Sequence, residues 1–220
     1  MRNYRIEITG TQPLLMHHDD IEWADVMDSW RNDPKNKKSS KAGDDRTPAH
    51  RWIGSLYHDN GKLVIPSENI MRAIMEGAAM VLVPGGKSGK TFKSQSQSGI
   101  VPASVGWPLI VGDKEIPSSK ILELAVVSDF SIHKEMVLSL GFSLFLKRAR
   151  IGTQKHIRVR PRFDIWAAAG ELAVIDDQIT TEVLTSILQC AGTYKGLCDW
   201  RPGSKTPGSF GTFVANVQKL

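Results

Sequence analysis

Residues 62–82 read KLVIPSENIMRAIMEGAAMVL, and the rest of the chain is organised around them. Lys62 to Ile65 has the composition of a short strand. Pro66 stops ladder pairing and biases Ile65 to an extended backbone, so the chain turns there. Ser67 is placed to accept a hydrogen bond from an orphan amide of the next turn, and Glu68 lies where the helix dipole favours a carboxylate. Ile70, Ile74, Ala78 and Leu82 follow at helical spacing with Met71, Met75 and Ala79 beside them, while Arg72 and Glu76 mark the wet face. The stretch predicts a strand, a turn and a packed helix with one polar side.

Upstream, Tyr4, Ile6 and Ile8 alternate with Arg5, Glu7 and Thr9, the period-two pattern of a half-buried strand that Gly10 ends. Downstream, a short strand is expected at Trp107 to Val111, a longer one over Lys120 to His133 from its β-branched content, and a further one at Phe142 to Leu146. Phe163 to Ile175 reads as another strand. Val183, Leu184, Ile187, Leu188 and Ala191 then recur at helical spacing, with Thr180 or Thr181 to cap the start and Gly192 to end it. Phe213, Ala215 and Val217 alternate as a final strand. Taken in order, these elements predict an α+β fold with a ferredoxin-like (RRM-type) βαββαβ core in a single domain spanning 1–220.

Three segments fall outside that core. Residues 17–61 form a long insertion after strand one, either a functional excursion or partly disordered, with short helices expected near 22–30 and 48–57. Trp23, Val26, Met27 and Trp30 would share one side of the first helix, packing on the core or presenting a partner-binding stripe. Residues 83–106 are expected to be a flexible basic loop bearing Lys87, Lys90 and Lys93, solvated or able to meet a phosphate backbone. Its PGGKSGKT run is not a phosphate loop: Pro84 stands where the pattern needs a glycine, and the run follows a helix rather than a strand.

The third segment, 142–162, is the most charged. Lys147, Arg148, Arg150, Lys155, Arg158, Arg160 and Arg162 put seven positive charges into sixteen residues. Gly152-Thr153 could turn a hairpin, and Ile157 and Val159 alternate with Arg158, Arg160 and Arg162, so in a strand those arginines share one exposed face at roughly 6.5 to 7 Å spacing. The run is either a solvated face or a phosphate track, arginine's planar fork suiting bidentate phosphate contact. Phe163, Trp166 and His156 lie nearby as stacking surfaces or core. The whole chain carries 28 basic against 23 acidic residues, a balance that favours anionic partners. Cys190 and Cys198 are too few for a disulfide framework or zinc ribbon. No signal-peptide core and no apolar run of membrane-spanning length is present, so a soluble cytoplasmic protein with no membrane partner is expected.

Two marks resemble the repeat-associated RNA-binding (RAMP) superfamily of CRISPR systems. One is the strand ending in Ile65-Pro66, followed by Ser67 and a helix. The other is the glycine-rich run GLCDWRPGSKTPGSFGTF at 196–213, before the last strand, which closes on Phe210, Gly211, Thr212 and Phe213. Asp199-Trp200-Arg201-Pro202 departs from the small residues and basic pair usual in that loop. The resemblance implies a Cas7-like backbone subunit of antiviral defence, host-, phage- or plasmid-borne, with the basic hairpin as its thumb. Such a subunit oligomerises along a single-stranded guide RNA, contacts target DNA or RNA and other effector subunits, and needs no cofactor. Arg201, Lys205, Gly208 and Gly211 would serve the RNA contact of the glycine loop.

Other readings on this resemblance are a phage single-stranded DNA-binding or annealing protein, an endoribonuclease, and a subunit mimic that blocks assembly. His17, His18, Asp19 and Asp20 are the most chemically loaded cluster. Neighbouring side chains on an extended segment point opposite ways, so no metal site is expected there. Some Cas7-type subunits cut RNA with an aspartate between strand one and the helix, which makes Asp19, Asp20, Asp33, Asp44 and Asp45 the candidates. Asp33, Asp44 and Asp45 lie among Asn, Lys, Ser and Gly residues that offer no supporting shell. No catalysis is expected; if there were any, Asp19 and Asp20 would carry it.

Overall fold

Tyr4, Ile6 and Ile8 of β1 (Arg2–Gly10) are buried while Arg5 and Glu7 face water, so the period-two pattern decides which face of the strand is core. The computed structural model describes residues 1–39, 43–86 and 89–220. After β1 come β2 (Leu14–Leu15), α1 (Ile21–Asn32), a 3-10 helix (Ala49–Ser55), β3 (His58–Asp59), β4 (Lys62–Pro66) and α2 (Ser67–Ala78). Next are α3 (Lys93–Gly99), β5 (Ile100–Pro102), β6 (Gly106–Val111), β7 (Lys114–Glu115), α4 (Ser118–Leu122), a second 3-10 helix (Glu123–Val126) and α5 (Phe130–Ser139). The hairpin β8 (Ser143–Ile151) and β9 (Gln154–Phe163) precedes β10 (Ala167–Val174), α6 (Thr181–Cys190), a π turn (Ala191–Lys195) and β11 (Phe213–Lys219). The fold is mixed α+β with antiparallel sheets, and among the described residues no helix is long and apolar enough to cross a membrane.

Contacts divide the chain into two compact units. The first comprises Met1–Leu14, Val64–Glu115 and Asp164–Leu220. Its strands lie in the order β11-β1-β10-β6-β4, with antiparallel pairing throughout. Along the chain, α2 lies between β1 and β6, and α6 between β10 and β11. Thr180 caps α6 as its sequence suggests, accepting from Val183 N–H at 3.4 Å. Ser67 does something else: the helix has no side-chain cap, and the Ser67 hydroxyl donates to the Ser104 carbonyl at 2.5 Å while its amide reaches Val105 O at 2.8 Å. The serine therefore fastens α2 to the turn before β6. The region expected as a flexible loop at 83–106 carries α3 and β5, because Ser96 is buried, bonded to Phe92 O at 2.9 Å, and Ile100 pairs with Val174. Gly192 lies within the π turn rather than ending a helix, close against the Phe213 carbonyl.

The second unit comprises Leu15–Leu63 and Ile116–Phe163. The hairpin runs from Ser143↔Arg162 to Ile151↔Gln154, so Gly152-Thr153 makes the turn, with Gly152 at φ +59°. Trp52, Phe142 and Phe163 form its aromatic core, the two phenylalanines stacked at 5.0 Å. Trp52 Nε1–H donates to His133 Nδ1 at 3.0 Å, so that nitrogen carries the lone pair and His133 Nε2–H donates to Val127 O at 2.8 Å. The long strand expected over 120–133 is instead α4, a 3-10 turn and the start of α5. Asp129 caps α5, accepting from Ser131 N–H at 2.8 Å, and His133 and Val137 face inward one turn apart. Within 17–61, α1 and the 3-10 helix carry the buried Met27, Trp52 and Ile53, where disorder had been one expectation.

In the first unit Gly77 of α2 packs directly against backbone. A Cβ built there would stand 2.5 Å from the Ile187 carbonyl and 2.7 Å from the Ala191 amide, both backbone atoms that a rotamer change cannot move. Gly77→Ala gains helix propensity but must separate α2 from α6. It is expected to lower stability by about 1–3 kcal/mol, measured by chemical denaturation.

Candidate functional site

Antiparallel pairing sorts the basic residues of the hairpin onto two faces. Lys147 stands opposite Arg158, Phe145 opposite Arg160 and Ser143 opposite Arg162, so these share one face. Arg148 stands opposite Ile157 and Arg150 opposite Lys155, so Arg148, Arg150 and Lys155 share the other, and all three are exposed. On the first face the expectation of an exposed arginine row needs correction. Arg160 is only 7% exposed and Arg158 half-buried, because both reach a carboxylate. Arg162 lies with its guanidinium carbon 5.9 Å from the centre of the Phe145 ring.

That carboxylate is Asp45. Its segment lies along β9: Ile157 N–H donates to Gly43 O at 2.7 Å, and Asp45 N–H to Ile157 O at 3.0 Å. The Asp45 side chain is then 3.1 Å from Arg158, 3.6 Å from Arg160 and 3.5 Å from Arg51 of the 3-10 helix, and it accepts from Val159 N–H at 3.4 Å. Asp45 therefore has the supporting shell that its polar sequence neighbourhood conceals. Arg160 is further held by Val159 O at 3.0 Å and His17 Nε2 at 3.1 Å. A guanidinium only donates, so His17 Nε2 is the lone-pair nitrogen of a neutral imidazole. Burial pushes the Arg51 guanidinium down from its ordinary value; Asp45 opposes this, and the positive charges of Arg31, Arg158 and Arg160 add to it.

These residues line a cavity of about 500 Å³ within the second unit. Its cationic wall is Arg51, Arg158 and Arg160, with Asp45 among them; α1 supplies Trp23, Ala24, Met27, Asp28 and Arg31; His17, His18, Asp19 and Asp20 also line it. Asp20 caps α1, accepting from Trp23 N–H at 3.0 Å, and lies 3.6 Å from His58. His18 stacks on Tyr57 at 4.7 Å between ring centres, and its Nδ1 lies 3.2 Å from Leu56 O. Asp44 is turned to Arg46, at 2.7 Å. Among the described residues no group of three or more His, Cys, Asp or Glu side chains is placed to hold a metal ion.

The glycine loop lies in the first unit. Arg201 is buried, with NH1 at 2.6 Å and NH2 at 3.0 Å from the Glu76 carboxylate and NH1 at 3.2 Å from Lys195 O, so its role here is to tie the loop to α2. A Cβ at Gly208 would run into the Trp200 carbonyl, and one at Gly211 (φ +70°) into the Leu197 carbonyl. Both glycines serve the loop's own close packing. Lys205 and Lys90 are exposed, and Lys87 lies outside the described residues. Compared with known proteins, the chain matches no protein-family model and no curated sequence.

Sequence reasoning missed the grouping of Asp45 with Arg158 and Arg160, since Asp45 and Arg158 are 113 residues apart. Removing one member of a buried charge cluster leaves the others uncompensated. Asp45→Ala is expected to cost about 3–5 kcal/mol of unfolding free energy, while Arg150→Ala on the exposed face should change it by no more than about 0.5 kcal/mol. Urea titration of the two variants checks the contrast.

Proposed function

We propose that the chain is a Cas7-like, non-catalytic subunit that coats single-stranded guide RNA through shape and backbone contacts. Support for the fold half of this reading is topological. The elements β1, α2, β6, β10, α6, β11 in chain order, with β11-β1-β10-β6 across the sheet, follow the ferredoxin-like, RRM-type path. In the chain the basic hairpin comes between β6 and β10, the place of a thumb in the family that the sequence resembles.

The observation that carries the binding reading is the hairpin's register: Arg148, Arg150 and Lys155 lie exposed together on one face, a phosphate rail distinct from the Asp45 cluster. Phosphate contacts position a strand without reading its sequence, as a guide-coating subunit requires. One rail covers only a short stretch of strand, so longer RNAs call for repeated head-to-tail copies, a heterologous contact that does not close. Target nucleic acid and other effector subunits are the further partners of this reading. With Asp20 engaged as a helix cap, the loop after β1 is read as structural rather than catalytic.

Arg158 and Arg160 are unsuitable for testing the rail because they hold Asp45. The test is Arg148→Ala, Arg150→Ala and Lys155→Ala combined, titrated against single-stranded RNAs of increasing length at several salt concentrations. Wild type is expected to add protomers stepwise with length. The triple variant should stay folded, bind more weakly and lose about 2 from the slope of log affinity on log salt, since each phosphate contact on a single strand contributes roughly 0.7. An unchanged slope, or a single protomer on every length, contradicts the proposal. A DNA strand of the same sequence competing equally well points instead to single-stranded DNA binding, because only contacts to the 2′-hydroxyl separate the two.

A further inference from the structure

We propose that the cavity of the second unit is a binding site for a phosphate monoester carried on a nucleoside, either a free nucleotide or the phosphorylated end of a nucleic-acid strand. The site is separate from the exposed rail and does not depend on it. Three features of the cavity lead to this assignment.

The first is charge held in place. Arg51, Arg158 and Arg160 converge on one carboxylate, Asp45, from two different elements, and Arg160 is fixed by Val159 O and His17 as well. The cavity lining as a whole carries four arginines and four aspartates, but at the wall of Arg51, Arg158 and Arg160 three positive charges surround the single carboxylate of Asp45, which favours an anion at that wall. Of the other carboxylates in the lining, Asp28 is paired with Arg31 at 2.8 Å and Asp20 caps α1, while Asp19 is exposed. The second feature is donor geometry. Planar guanidinium forks match the oxygens of a phosphate, and fixing them beforehand removes the ordering cost of binding.

Size and polarity are the third. At about 500 Å³ the cavity is far larger than a phosphate and within the usual range for small-molecule sites. Beside the cationic wall, α1 offers Trp23, Ala24 and the buried Met27 as an apolar strip next to its Asp28–Arg31 pair. A ligand with an anionic head and a flat, partly apolar body meets both walls. A nucleoside monophosphate has that form, whereas a bare phosphate uses only the arginines.

Calorimetry on the full chain tests this with inorganic phosphate, adenosine, adenosine 5′-monophosphate, and one RNA oligomer carrying a 5′-phosphate, a 3′-phosphate or only hydroxyl ends. The monophosphate is expected to bind at least about tenfold more tightly than phosphate or adenosine alone, the gain expected when charge-assisted hydrogen bonds add to apolar contact. A phosphorylated oligomer that beats its hydroxyl twin by a similar factor identifies a strand end as the ligand. Binding of the monophosphate without that preference identifies a free nucleotide. Arg51→Gln should abolish the gain. Ala24→Trp, which fills the apolar side and leaves the arginines alone, should block the monophosphate while sparing phosphate, and it decides the matter should Arg51→Gln fail to fold. Equal affinity for adenosine and its monophosphate, or no binding of either phosphate species, overturns the proposal.

Discussion

The second unit depends on the charge of Asp45. One carboxylate, 6% exposed, receives guanidiniums from the 3-10 helix and from β9, and its backbone continues the edge of that strand. Water cannot screen charges at that depth as it does at the surface, so the cluster is stable only as a whole. The loop around Gly43 to Asp45, the helix of Trp52 and the hairpin are thus held by the same charge. This also explains why seven basic residues in one hairpin need not act alike. Arg158 and Arg160 shape a cavity, while Arg148, Arg150 and Lys155 are left to meet whatever approaches from solvent.

The first unit obeys a different constraint, the close approach of backbones. Gly77 brings α2 against α6, Gly192 brings the π turn against β11, and Gly211 lets the loop close on Leu197. These are contacts of shape, and the buried Arg201 of this unit is paired with Glu76. The charge cluster and the cavity it lines lie in the second unit.

What could be read in the sequence was what depends on neighbours. β1 was legible because a strand with one wet face must alternate, α2 and α6 because their apolar residues repeat at helical spacing, and the hairpin turn because Gly152 relieves a left-handed backbone. Residues 118–139 misled because KILELAVVSD mixes β-branched and helix-favouring residues over helices too short to show a period. A signal was there: Ile116-Pro117-Ser118 repeats Ile65-Pro66-Ser67, where the turn into a helix is legible although Ser67 does not cap it, and Asp129 is a capping residue. The cavity was not legible at all. Asp45 lies in a polar run, and its partners are set by tertiary pairing across 113 residues, which no local pattern encodes. Arg201 was misassigned for the same reason, its Glu76 partner being 125 residues away.

Ultraviolet cross-linking of the full chain to a uniformly photoreactive single-stranded RNA, with the attached peptides read by mass spectrometry, tests the central claim most directly. The account predicts that cross-links concentrate within residues 143–163 at moderate salt and fade together as salt rises. Cross-links confined to the first unit, or none under conditions where the RNA is bound, would contradict it.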